Sequence, residues 1–230
     1  MKLTILAIIV ILSQVSWINL AKAANPGAIR RLLETNECSG CDLRKANLSN
    51  ANLIGADLEG ANLQGANLSG ANLAVSILSD ANLSNANLSR ATMNDADLRG
   101  ANLTDAYLGH ANLSRAYLTE ANLENANLFK ANLIESLASG ANLSNANLRQ
   151  SSWFRANLEN ANLGGSDLFN ANMHQANLKN TDFSNANLTQ AKLMETNITL
   201  ANLNGANLEG VNLRGTTIGL SVCLITNYIG

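Results

Sequence analysis

The sequence predicts an all-β solenoid, and three observations predict it. The first is a repeat. From Leu43 to Ile218 one five-residue register holds through thirty-six consecutive pentads, mostly Ala-Asn-Leu-X-X, as in Ala46-Asn47-Leu48, Ala51-Asn52-Leu53 and Ala56-Asp57-Leu58. The second is that neither regular element tolerates this period. Leucines five apart on an α-helix advance by about 140° each time and form no apolar stripe. On a straight strand an odd spacing throws successive leucines onto opposite faces. Both conflicts vanish if the chain turns a corner in every pentad, with Ala and Leu pointing inward, Asn between them pointing outward and the last two residues making the corner. The third is the corner chemistry. Gly or Asn fills the second position after the leucine in half of the pentads, Gly55, Gly60, Asn50 and Asn85 among them. These residues best tolerate the positive φ of a type II turn. The single proline, Pro26, lies outside the array, as suits a backbone that donates hydrogen bonds between coils.

Each element follows in order. Residues 1–23 read as a secretory signal peptide, with Lys2 ahead of an apolar run from Leu3 to Leu12 and Ala21-Lys22-Ala23 as an A-x-A cleavage site. Residues 24–40 read as a short N-terminal capping α-helix and junction. Asn25 is a good N-cap, Pro26 suits the first helical position, and Ile29, Leu32 and Leu33 form a stripe that would close the first coil. Residues 41–220 are the repeat array. Residues 221–230, with the apolar run from Leu220 to Ile225, would cover the last coil and end in a tail. Within the array, Ser136-Leu137-Ala138 puts Ala where Leu belongs, and one coil later Trp153 replaces Leu on the neighbouring side. The missing volume at Ala138 would help to house the indole; two independent defects are the other reading.

Tandem A(N/D)LXX resembles the pentapeptide-repeat family over about 180 of the 230 residues. That resemblance implies a right-handed quadrilateral β-helix with four pentads per coil, hence about nine coils and a rod roughly 43 Å long at ~4.8 Å per stacked strand. The junction Cys38-Ser39-Gly40-Cys41-Asp42-Leu43 resembles that of exported cyanobacterial members, which implies the periplasm or the thylakoid lumen. No membrane attachment is expected once the signal is cleaved.

Cysteine usage is consistent with export. Cys223 lies at the far end of the array, too distant for the ~7 Å Cα separation that a disulfide allows. Cys38 and Cys41 are therefore the one pair placed for an internal bridge, although two buried thiols in inward slots would satisfy the same pattern. Two cysteines without neighbouring histidine do not make a zinc site, and the pair lacks the βαβ context of a redox motif.

The outer surface is read by stacking residues twenty apart. Phe129, Arg149 and Phe169 follow one another at one corner, and Ile134, Phe154, His174 and Met194 at the next. The first series suggests cation–π stacking. Together Phe129, Ile134, Arg149, Phe154, Phe169 and Met194 form a possible surface for an unknown protein partner. A column of Arg115, Glu135, Arg155, Gln175 and Glu195 runs beside them, and the side carrying Ser84, Thr104, Glu124, Ser144 and Gly164 is bland and polar.

Catalysis is not expected. His110 and His174 are isolated corner residues, the interior is filled with Leu and Ala, and neither a nucleophile–base pair nor a phosphate-cradling loop is present. No catalytic residue, cofactor or metal site is assigned. The formal net charge of −2 becomes −4 once Lys2 and Lys22 are removed. Some pentapeptide-repeat proteins mimic DNA and protect a type II topoisomerase. That alternative requires a strongly acidic cytoplasmic rod, whereas Arg90, Arg99, Arg115, Arg149 and Arg155 are spread along this one. Direct nucleic-acid binding would need a basic face. The reading favoured by the sequence is a non-enzymatic extracytoplasmic scaffold, monomeric or dimeric.

Overall fold

The computed structural model describes residues 25–219. The signal peptide at 1–23, the tail at 221–230 and Cys223 lie outside the described residues. Helix α1 spans Pro26–Thr35. Asn25 starts it, its side-chain oxygen accepting the Gly27 N–H at 2.9 Å. Asn36 ends it in the left-handed conformation, with its N–H bonded to the Leu32 carbonyl. Leu32 is fully buried, and Ala28 and Ile29 pack against the same core. Leu33, expected in the same stripe, is 48% exposed instead, so the helix turns Ala28, Ile29 and Leu32 to the core and Leu33 away from it.

The rest of the chain is a ladder of parallel bridges between residues twenty apart, from Glu37–Asp57 to Asn197–Thr217. Twenty residues per turn is four pentads per turn. The array begins one pentad ahead of Leu43, within the stretch read as a junction, because Cys38 takes a leucine slot and Cys41 an alanine slot. Their sulfurs are joined in a disulfide with the two Cα atoms 5.2 Å apart. The all-β expectation needs one correction: among the described residues no strand is longer than a single bridge. A two-residue turn in every pentad leaves three extended residues, and only the middle one pairs on both flanks.

Hydrogen bonding shows why each position holds its residue. Leu48 N–H donates to the Asn67 carbonyl at 2.7 Å, and Asn67 N–H to the Ala46 carbonyl at 2.8 Å. Lys45 N–H, in the turn, reaches the Gln64 carbonyl of the next coil at 2.9 Å. Ala46 N–H closes its own turn on the Leu43 carbonyl at 3.0 Å. One backbone N–H per pentad, that of the residue after leucine, has no place in this scheme. The repeat's Asn or Asp supplies its acceptor. Asn142 Oδ1 takes the Ser144 N–H at 3.2 Å, and Asp57 Oδ1 takes that of Glu59 at 3.1 Å. The outward Asn is thus a built-in turn cap. Many of these side chains also form a ladder, as where Asn142 Nδ2 donates to Asn122 Oδ1 at 3.1 Å.

The second residue after each leucine has positive φ, from 51° at Val75 to 74° at Gly215, while the residue before it does not, which makes the corners type II turns. The inward Leu and Ala slots are closed to solvent through nearly the whole array. Each buried leucine contributes roughly 1.5–3 kcal/mol. Trp153 is fully buried. Its indole N–H donates to Ser151 Oγ at 2.9 Å, and Ser151 in turn donates to the Leu148 carbonyl at 2.6 Å. Serine in place of alanine at 151 therefore accompanies tryptophan in place of leucine at 153.

Candidate functional site

With the interior filled, chemistry is confined to the corners and the outward rungs. The two predicted aromatic corners are brought side by side, because the residues following Leu128 and Leu133 stand on successive corners of one coil. Arg149 lies over the Phe169 ring, 4.4 Å from guanidinium to centroid, and its Nη1 meets Asp167 at 2.9 Å. Phe129, expected to sandwich Arg149 from the other side, is instead covered by Lys130 at 5.0 Å and met edge-on by His110 at 5.7 Å. At the next corner Phe154 stacks on His174 at 5.5 Å and carries Arg155 at 4.8 Å. His174 Nδ1 lies 2.9 Å from the Met194 carbonyl. Arg155 Nε donates to Gln175, and Gln175 donates to Glu195, at 2.7 and 2.8 Å.

Phe129, Ile134, Arg149, Phe154, Phe169 and Met194 are all half-buried. The exposed apolar bulk read there is largely covered, since side chains stacked every coil lean on one another and the cations lie over the rings. What the two corners offer outward is a set of guanidinium and ammonium edges held in place by aromatic backing. The more exposed large apolar residues lie elsewhere, at Leu33, Ile54, Val75, Ile77, Tyr107, Tyr117, Leu137, Leu200 and Ile218. For Val75, Ile77, Tyr107, Tyr117, Leu137 and Leu200 the signal in the sequence was an apolar residue standing where the repeat calls for Asn, Asp or Gly.

Charged groups elsewhere pair locally. Hydrogen bonds from Arg44 pull the Asp42 carboxyl down to about 2. Arg115 and Asn94 lower Asp95, Arg99 lowers Asp97, and Lys179 lowers Glu159. Among the described residues no group of His, Cys, Asp and Glu is placed to hold a metal ion. No described helix is long and apolar enough to cross a membrane.

Repeats of the pentapeptide family match the chain in eight copies between residues 37 and 215. The chain belongs to the pentapeptide repeat family. Among solved structures, this pentapeptide repeat protein is similar to HetL, a pentapeptide repeat protein involved in heterocyst differentiation regulation from the cyanobacterium Nostoc sp. strain PCC 7120. The identity is 33%, covering 84% of this chain and 96% of HetL, with a TM-score of 0.66. It also shares its fold with QnrB1, a plasmid-mediated fluoroquinolone resistance protein, at 18% identity over 81% of this chain and 89% of that one, with a TM-score of 0.57. No curated protein gives a sequence match. Pentapeptide repeat proteins are in general structural or protein-binding.

Proposed function

We propose that this pentapeptide repeat protein is a non-enzymatic scaffold that binds a protein partner outside the cytoplasm. The observation that carries the reading is the closed interior. Leu and Ala slots are sealed from end to end of the middle coils, so the outside wall is the surface available for recognition. Export is supported by the signal-like pattern of residues 1–23 and by the Cys38–Cys41 disulfide, which persists in oxidising compartments. The partner surface is the pair of aromatic–cationic corners built from Phe129, Ile134, Arg149, Phe154, Phe169 and Met194. Its backed cations suit a partner with exposed carboxylates.

Cross-linking the native protein in its own cell extract, followed by the variant Phe129→Ser/Phe154→Ser/Phe169→Ser, tests the surface. The expected outcome is a partner captured by the parent and lost by the variant; equal capture by both would reject these corners. A reporter fused after Ala24 tests the compartment. If it stays cytoplasmic, the alternative gains ground: a DNA-mimicking protector of a type II topoisomerase. That alternative draws on a fold shared with QnrB1.

A further inference from the structure

The side of the rod that carries Asp57, the fourth counting from Asp42, departs from the repeat in one consistent way. Its outward rungs run Glu37, Asp57, Ile77, Asp97, Tyr117, Leu137, Asn157, Asn177, Asn197 and Thr217. Ile77, Tyr117 and Leu137 have no carbonyl or carboxylate oxygen at the γ-carbon to accept the N–H two residues on, so Ser79, Thr119 and Ser139 lose the side-chain acceptor that Asp57 and Asn157 provide. At the preceding corner Val75, a β-branched residue, is held at φ 51°, a conformation such residues rarely adopt. Each departure weakens the isolated rod, and each places an apolar group outside. Of the nine large apolar residues exposed among the described residues, five lie on this side and its preceding corner: Ile54 (45%), Val75 (53%), Ile77 (42%), Tyr117 (44%) and Leu137 (41%).

These residues are also arranged as a palindrome. We infer that the fourth side is a homodimer interface on which a second copy runs antiparallel, about a two-fold axis lying midway between the Asp97 and Tyr117 rungs. In this register Ile77 meets Leu137 of the second copy, and Asp97 accepts from the Tyr117 hydroxyl. Asp57 meets Asn157, and at the preceding corner Ile54 meets Phe154. Asp95 and Arg115, already paired within the chain at 2.6 Å, meet their opposites in the other copy and close a ring of alternating charge. Two contacts at the rim are unfavourable. Glu135 falls opposite Val75, and Glu59 opposite Glu159, the latter neutralised by Lys179 at 3.0 Å.

Neighbouring registers are worse. Moving the axis onto the Asp97 rung sets Asp95 and Asp97 against themselves. Moving it onto the Tyr117 rung sets Arg115 against Arg115 and Asp95 against Glu135. A parallel copy sets Asp97 against Asp97. Like charges directly opposed are destabilising, so charge selects one arrangement. With rungs ~4.8 Å apart, the rungs from Asp57 to Asn157 offer roughly 500 Å² per copy, or about 1,000 Å² in total. That is near the lower end for a specific interface and suits association at micromolar concentration.

Sedimentation equilibrium on the purified chain at roughly 100 μM tests the inference. The expected mass is twice that of a single purified chain. The variant Ile77→Asn/Tyr117→Asn/Leu137→Asn carries the residue that most pentads use at this rung, so it should fold and sediment as a monomer. A monomeric parent, or a variant as dimeric as the parent, overturns the interface. The register is read separately in a Cys223→Ser background with a short bis-maleimide. A mixture of Ile77→Cys and Leu137→Cys chains should cross-link efficiently, while either alone should not. Cross-linking of Ile77→Cys with itself would overturn the antiparallel arrangement.

Discussion

Ser136 and Ser151 occupy equivalent inward slots and face opposite circumstances. Ser151 Oγ accepts the buried indole N–H of Trp153 and donates to a carbonyl. Ser76, Ser166 and Thr196 likewise each donate to the leucine carbonyl three residues back. Ser136 Oγ is buried without a partner. A buried hydroxyl without a hydrogen bond is unfavourable, and removing it relieves that loss, whereas removing an acceptor from a buried donor creates one. Ser136→Ala should therefore be neutral or raise stability by up to about 1 kcal/mol, and Ser151→Ala should lower it by about 1–3 kcal/mol. Urea titrations of the two variants check the contrast. Val75 is the corresponding case for the backbone. Left-handed φ is unfavourable by about 1–2 kcal/mol for an L-residue, and Asn tolerates it best after Gly. Val75→Asn should raise the urea midpoint.

The unit of this fold is the pentad with its turn, and its stability rests on the rung residue as well as on the leucine. Asn142 takes the Ser144 N–H, donates to Asn122 and accepts from Asn162 Nδ2 at 3.2 Å. Asn142→Ala removes all three bonds and leaves a half-buried N–H without its acceptor. A loss of about 1–2 kcal/mol is expected, measurable by the same titration. The cost should stay local, because each coil touches only its neighbours and stability accumulates along one dimension. The N-terminal element works differently. Leu32 of helix α1 joins the core, and Leu43 at the start of the array is fully buried. At the other end Leu203, Leu208 and Leu213 remain half-buried.

Across the whole molecule, acid should act through a small set of carboxylates. Asp42, Asp95, Asp97 and Glu159 all have folded-state values held below the ordinary range by hydrogen bonds to Arg44, Arg115, Arg99 and Lys179. A depressed folded value stabilises the fold above the unfolded value, about 3.9 for Asp and 4.3 for Glu, and that stabilisation is lost as pH falls through the folded value. The midpoint of thermal unfolding should be flat between pH 7 and about 5 and should fall below about pH 4. The fall should be modest, because these pairs are largely exposed and screened by solvent. Arg99→Ala should flatten the acid limb further; an unchanged limb in this variant would remove Asp97 from the set.

The period of five by itself determined the solenoid, the inward Ala and Leu, and the corner in every pentad, because no helix or straight strand can carry that spacing. The N-cap at Asn25 was equally legible, since capping depends on residues adjacent in the chain. The Asn rung was read only as outward-facing. Its role became visible once the backbone bonds of a whole pentad were traced and one N–H was left over. Half of the corners were recognisable from Gly and Asn; the others hold Asp, Lys, His, Arg, Glu, Gln, Val or Leu at positive φ, because bonds to the coils above and below outweigh local preference. Tertiary structure alone decided which surface residues are exposed. Phe129 and Phe154 looked open in the sequence and are covered by cations beside them, while Ile77, Tyr117 and Leu137 stand clear, because exposure depends on what stacks one coil away and twenty residues distant.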